Sequence, residues 1–107
     1  MDIVDRIDLH DNQLTAVCEL VGRFLPGTRV WAFGSRVRFT AHAGSDLDLV
    51  VFTRNDETAK ISSLREAFEE SDLPCRVDLL EWHAIPDEFK KNIQSGPIFI
   101  IYPLTPP

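Results

Sequence analysis

The sequence predicts an α/β or α+β domain in which a small mixed β-sheet is flanked by helices. Three observations point there. Stretches with a helical apolar period take turns with stretches that alternate or run apolar, in the order helix, strand, strand, helix, strand, helix, short strand. The 107 residues are the size of one small domain, 1–107, near the lower end of what a single apolar core supports. A hydrophobic share of 44% and a charged share of 26% are ordinary for a folded chain, and no segment repeats or is of low complexity.

The elements follow in order. From Asp11 onward, Leu14, Val17, Cys18, Val21, Phe24 and Leu25 recur on one helical face, with Asp8 or Asp11 as the cap and Pro26-Gly27 as the stop. Thr28 to Phe33 is short, β-branched and aromatic, and apolar on both alternations, which suits a buried strand. A polar connection, Gly34 to Ser45, carries Arg36 and Arg38 and leads into the strand Leu47 to Thr53. There Asp46, Asp48 and Val50 share one face while Leu47, Leu49 and Val51 share the other. Asn55 to Ser71 returns to a helical period through Ile61, Leu64 and Phe68, and Cys75 to Leu80 reads as a third strand. Pro86 opens a last helix whose early acids Asp87 and Glu88 and later Lys90 and Lys91 match the helix dipole, and Gly96 ends it. Pro97 to Tyr102 is apolar and strand-like, bounded by the prolines at 103, 106 and 107. It has two readings: a surface that meets a partner, or a covered edge strand of the chain's own sheet.

Charge and cysteine usage narrow the function classes. A formal net charge of −6 speaks against broad attraction to a nucleic-acid backbone and for a basic partner or a metal-neutralised substrate. Cys18 and Cys75 each lie inside an apolar pattern, so they are expected to be core thiols rather than a disulfide or a zinc pair. Met1 to Asp11 has no basic leader and no apolar run reaches membrane-spanning length, so the expected location is the cytoplasm. Trp31 and Trp82 are expected to pack, and the histidines at 10, 42 and 83 to sit in loops or at element ends.

The chemistry resides in the acids. Asp46 and Asp48, two apart on a strand, hold their carboxylates on one side, where a shared proton or divalent cations would relieve the repulsion. Asp78 sits in a strand of similar apolar character, where a lone buried charge is costly without a partner. Three such acids converging make a two-metal site, and magnesium prefers carboxylate, water and phosphate oxygens. Gly34-Ser35 directly after a buried strand lets backbone amides approach a phosphate and adds a hydroxyl donor. Neither a Walker loop nor Gly-x-Gly-x-x-Gly is present.

Phe33-Gly34-Ser35-Arg36-Val37-Arg38, followed by Ser45-Asp46-Leu47-Asp48-Leu49 and by Asp78 in Arg76-Val77-Asp78-Leu79-Leu80, resembles the signature of the DNA polymerase β-type nucleotidyltransferase superfamily. The short length is similar to the minimal nucleotidyltransferases, the antitoxin half of HEPN/MNT toxin–antitoxin pairs. The resemblance implies a nucleotidyltransferase fold and a catalytic set of Asp46, Asp48 and Asp78 holding two magnesium ions. It further implies that Gly34 and Ser35 grip the phosphates of ATP, with Arg36 nearby. The implied activity is transfer of AMP to a tyrosine hydroxyl of a HEPN-type ribonuclease toxin, a protein acceptor suiting a chain with little sequence left to hold one. Two other classes stand beside it: an antitoxin that works by binding alone, and a transferase acting on a small molecule. One departure is Phe39, where relatives with this signature commonly have glycine, which bears on the loop and on Arg38.

Overall fold

A computed structural model describes residues 1–104. Helix α1 spans Asp11–Phe24 and buries Val17 and Val21 from the predicted face. Its cap is neither Asp8 nor Asp11 but His10, whose backbone N–H donates to the Gln13 side chain at 2.9 Å. Gly27, at φ +73, turns the chain into strand β2, Val30–Phe33. The predicted polar connection then holds an unpredicted short helix α2, Ser35–Arg38, before strand β3, Leu47–Val51. A 3-10 turn at Asn55–Glu57 starts helix α3, Thr58–Glu70, which buries Ile61, Leu64 and Phe68. Strand β4, Val77–Glu81, and helix α4, Asp87–Ser95, follow, and strand β5, Pro97–Ile101, ends before Pro103. Pro106 and Pro107, expected to help end that strand, lie outside the described residues.

A further strand, β1 at Asp2–Val4, went unpredicted because three residues show no period. The five strands order as β1-β5-β2-β3-β4. Strand β2 runs antiparallel to both β3 and β5, while β3–β4 and β1–β5 are parallel, so the sheet is mixed as expected. Strand β5 is therefore not an edge of the sheet. It is flanked by β1 and β2, with Ile98 and Ile101 buried, and its continuous apolar run is what a strand covered on both faces requires.

The two faces of the sheet differ. On one, α1 and α3 close over Ala32, Leu47, Leu49, Val51 and Leu79, with Cys18 and Cys75 partly buried at its margin. On the other, α4 sets Ile93 against Trp31, Val50 and Ile98. Trp31, Phe52 and Trp82 pack there ring against ring, with centroids 4.6 to 5.8 Å apart, which confirms the tryptophans as packing residues. Among the described residues no helix is long and apolar enough to cross a membrane.

Candidate active site

Alternation along β3 turns Leu47, Leu49 and Val51 into the α1/α3 core, so Asp48 and Val50 must emerge on the α4 side. Parallel pairing puts Asp78 of β4 directly opposite Asp48, and antiparallel pairing puts Phe33, the last residue of β2, on its other flank. Asp48 and Asp78 thus meet through strand register, which no spacing within the sequence records. Asp46 lies just ahead of β3, where Leu47 N–H donates to Arg76 O at 2.8 Å and ties the two strand starts together.

Asp78 differs from expectation in one respect. It is exposed on the edge strand β4, so the cost of a buried lone charge does not apply to it. The carboxyl under strain is that of Asp48, pushed up to about 6 by burial first and then by the negative charges of Asp78 and Asp46. Mutual repulsion among three carboxylates is what a hard divalent cation relieves, and their oxygens are the donors magnesium prefers, so the residues present fit that ion. Among the described residues no three acidic, histidine or cysteine groups are gathered to hold a metal, and the Asp46 carboxylate accepts instead from Arg76 Nη2 at 3.0 Å.

Gly34 closes the site from above β2. Its φ of +82 and ψ of −154 lie where side chains rarely go, and a Cβ there would stand 2.5 Å from Asp48 Oδ2. Glycine is required twice over, by the turn and by the carboxylate beside it. The chain then makes the single turn of α2, in which the Val37 and Arg38 N–H groups donate to Gly34 O at 3.1 and 3.0 Å. Phe39 ends α2 in the left-handed region at φ 58, ψ 37, the conformation glycine adopts most freely. The departure at Phe39 therefore keeps the backbone a glycine would give, and its exposed ring is met by the Arg6 guanidinium 5.7 Å from the centroid.

The two arginines of α2 take different paths. Arg36, expected near the phosphates, donates through Nη1 to Asp8 O at 3.1 Å and through Nη2 to Ser45 O at 2.9 Å, while its own carbonyl accepts from Asp8 N at 2.8 Å. Its guanidinium is committed to backbone carbonyls and fastens the N-terminal segment and the Ser45-Asp46 loop to α2. The sequence could not show this, because Asp8 reaches Arg36 only once the chain folds back. Arg38 is exposed and lines a cleft of about 110 Å3 together with Phe33, Gly34, Phe89, Asn92 and Gly96. His42 is exposed in the loop before Ser45, its Nδ1 accepting from Gly44 N at 3.2 Å. His83 stands 3.4 Å from Glu81 Oε1, which also accepts from Thr53 Oγ1.

With this geometry in place, the chain can be compared with known proteins. The family model described as "Nucleotidyltransferase domain" matches residues 10–100. A curated relative from Haemophilus influenzae (strain ATCC 51907 / DSM 11121 / KW20 / Rd), "Probable protein adenylyltransferase MntA", is 41% identical over 92 residues, covering 84% of this chain and 80% of the relative. Among solved structures, a chain from a crystal structure of a toxin–antitoxin with AMP-PNP superposes with a TM-score of 0.58 at 19% identity, over 90% of this chain and 75% of the other. That last likeness is one of fold.

Proposed function

Since this chain belongs to the nucleotidyltransferase domain family, we propose that it is a magnesium-dependent protein adenylyltransferase, moving AMP from ATP to a tyrosine hydroxyl of a HEPN-type ribonuclease toxin and so acting as its antitoxin. The name of the Haemophilus influenzae relative supports the transfer of AMP to protein. The toxin–antitoxin assembly with AMP-PNP that shares the fold supports the class of partner and the nucleotide. The observation that carries the reading is the placement of Asp48 opposite Asp78, with Gly34 so close that no side chain fits between.

In this reading Asp46, Asp48 and Asp78 hold magnesium, and Gly34 and Ser35 receive the phosphates. Bound there, magnesium supplies the positive charge that steadies the α-phosphate and the departing pyrophosphate. The chain's own residues do the rest. Gly34 leaves the backbone bare where the phosphates approach, and the Ser35 hydroxyl adds a donor. The acceptor oxygen bonds to the α-phosphorus as the bond to pyrophosphate breaks, and the exposed carboxylate of Asp78, on the open side, takes the hydroxyl proton. A cleft of about 500 Å3 runs along α3 and the edge strand β4, with Asp78 and Arg76 in its lining.

A second reading, an antitoxin that works by binding alone, has one observation in its favour: the Asp46 carboxylate already has a cationic partner in Arg76. Intact-mass spectrometry separates the two. Catalytic amounts of this chain with ATP and magnesium should add mass to the HEPN-type toxin in steps of one AMP, and the toxin should stay inactive once purified away. Asp46→Asn or Asp48→Asn should leave the toxin mass unchanged while the variant chain remains folded. A toxin of unaltered mass that is nonetheless inhibited in the mixture favours binding alone.

A further inference from the structure

The two edges of the sheet are not alike. Strand β1 is three residues long, with Asp2 within it and Asp5 just past it, the short and charged form that discourages pairing. Strand β4 is five residues long and bears Asp78. In its parallel ladder with β3 the backbone groups alternate. Leu47 N–H donates to Arg76 O at 2.8 Å, so Asp78 and Leu80 turn their N–H and C=O groups towards β3, and Val77 and Leu79 turn theirs outwards. Leu79 O is closed by Arg65 Nη2 at 2.9 Å. The N–H and C=O of Val77 have no partner among the described residues.

We infer that the acceptor protein presents its hydroxyl on an extended segment that pairs with this open edge at Val77, and that a lysine or arginine stands next to the hydroxyl residue. The inference rests on the transferase reading above and names the form its acceptor takes. Phe33, Asp48 and Asp78 lie side by side on three neighbouring strands, and such neighbours are about 4.8 Å apart. A segment added outside β4 sets one of its own residues next in that row, with its side chain on the face of Asp48 and Asp78 and its hydroxyl beside the carboxylate that takes the proton. Arg65 limits the pairing to the start of β4, where Asp78 is.

The adjoining residue of such a segment points to the opposite face, under α3. There the cleft of about 500 Å3 is lined by Phe68, Leu73 and Pro74 and by the exposed acid Glu69. Its two bases are engaged already, Arg65 on Leu79 O and Arg76 on Asp46. The last turn of α3 has no base, and Glu69, Glu70 and Asp72 make no ion pair among the described residues, although a helix C-terminus favours cations. A lysine or arginine here lays its apolar stem on the lining and its charge by these acids.

Steady-state transfer of AMP to the HEPN-type toxin tests this on wild type, Val77→Ala, Val77→Pro and Glu69→Lys, each with its melting temperature and its ATP affinity. Proline at 77 removes the outward N–H, a change that edge strands tolerate. It should raise the KM for toxin about tenfold with ATP affinity unchanged. Val77→Ala keeps the N–H and should stay within about twofold of wild type. Glu69→Lys should raise KM about fivefold, by an amount that shrinks as salt is added. Hydrogen exchange decides even where Val77→Pro does not fold. In the wild-type chain with toxin and no nucleotide, the Val77 amide should slow about tenfold or more, while those of Asp78 and Leu80, already bonded to β3, change little. A wild-type KM in folded Val77→Pro, equal losses in Val77→Ala and Val77→Pro, or a Val77 amide that toxin does not slow overturns the docking, and AMP transfer by the wild type then leaves the transferase reading in place. The same slowing in the concentrated chain alone gives the edge to a second copy and overturns the docking too. A wild-type chain that adds no AMP to toxin overturns both.

Discussion

Leu47, Leu49 and Val51, on one face of β3, are entirely buried beneath α1 and α3, while Asp46 and Asp48, on the other, stand at the part of the sheet that α4 leaves open. A single strand thus serves two ends through its period of two. The covered face contributes stability through close packing, and the open face spends some of it, since Asp48 is held beside two other acids and partly out of water. Substitutions on the two faces should therefore separate stability from activity in opposite senses.

The largest effect belongs to the covered face. Leu49 has no exposure and lies between Ala32 of β2 and Leu79 of β4. Leu49→Ala should cost about 3 kcal/mol in chemical denaturation, from lost transfer energy and the cavity left behind. That is a large part of the roughly 5–15 kcal/mol a domain of this kind possesses. Its nucleotide affinity, measured where the variant is still folded, should be close to wild type. A loss of less than about 1 kcal/mol would mean that α1 and α3 collapse into the space, and that the dry face is less rigid than its burial indicates.

Next in size is the opposite behaviour at Asp48. Its carboxyl titrates near 6 in the folded chain against an ordinary value of 3.8. Because the folded state holds its proton more tightly, the contribution to stability is complete below pH 3.8 and is lost as pH rises through 6. With no metal present, the chain should therefore be less stable at pH 8 than at pH 5 through this group. Water at the half-open site screens the effect, leaving about 1 kcal/mol. Asp48→Asn should flatten this dependence and raise the metal-free melting temperature at pH 8 by about 4 °C. Unchanged melting at both pH values would show that the site relaxes its repulsion by moving the carboxylates apart.

Much of this contrast was legible in the sequence, and what was not has physical reasons. Helices α1, α3 and α4 and strands β2, β3 and β4 carry enough residues for a period to declare itself, and the Asp46, Asp48 face follows from that period alone. Strand β1 and helix α2, of three and four residues, are too short for that. The run Pro97 to Tyr102 announces a strand but not its neighbours, so its place between β1 and β2 emerged only from pairing. The same holds for the exposure of Asp78, which depends on β4 being an edge. The separate destinations of Arg36 and Arg38 are the least legible of all. Both are arginines on one turn of helix, and what distinguishes them is Asp8 and Ser45 on one side and Gly96 on the other.

The smallest expected effect sharpens the boundary of the open face. Arg76 donates to Asp46 Oδ2 at 3.0 Å, with its side chain 76% exposed and that of Asp46 35% exposed. A pair so open to water contributes little to folding, and Arg76→Ala should change stability by less than about 0.5 kcal/mol. Its effect on cation binding is a separate matter, because a cation seeking the Asp46 carboxylate must first displace the guanidinium. Removing that competitor should therefore tighten magnesium binding about two- to threefold in the absence of nucleotide, by direct calorimetric titration. Tighter magnesium with unchanged ATP affinity would mark Arg76 as a competitor for Asp46 alone. If Arg76→Ala instead weakens ATP binding, Arg76 turns to the nucleotide when it arrives, and the open face extends from the carboxylates to the start of β4.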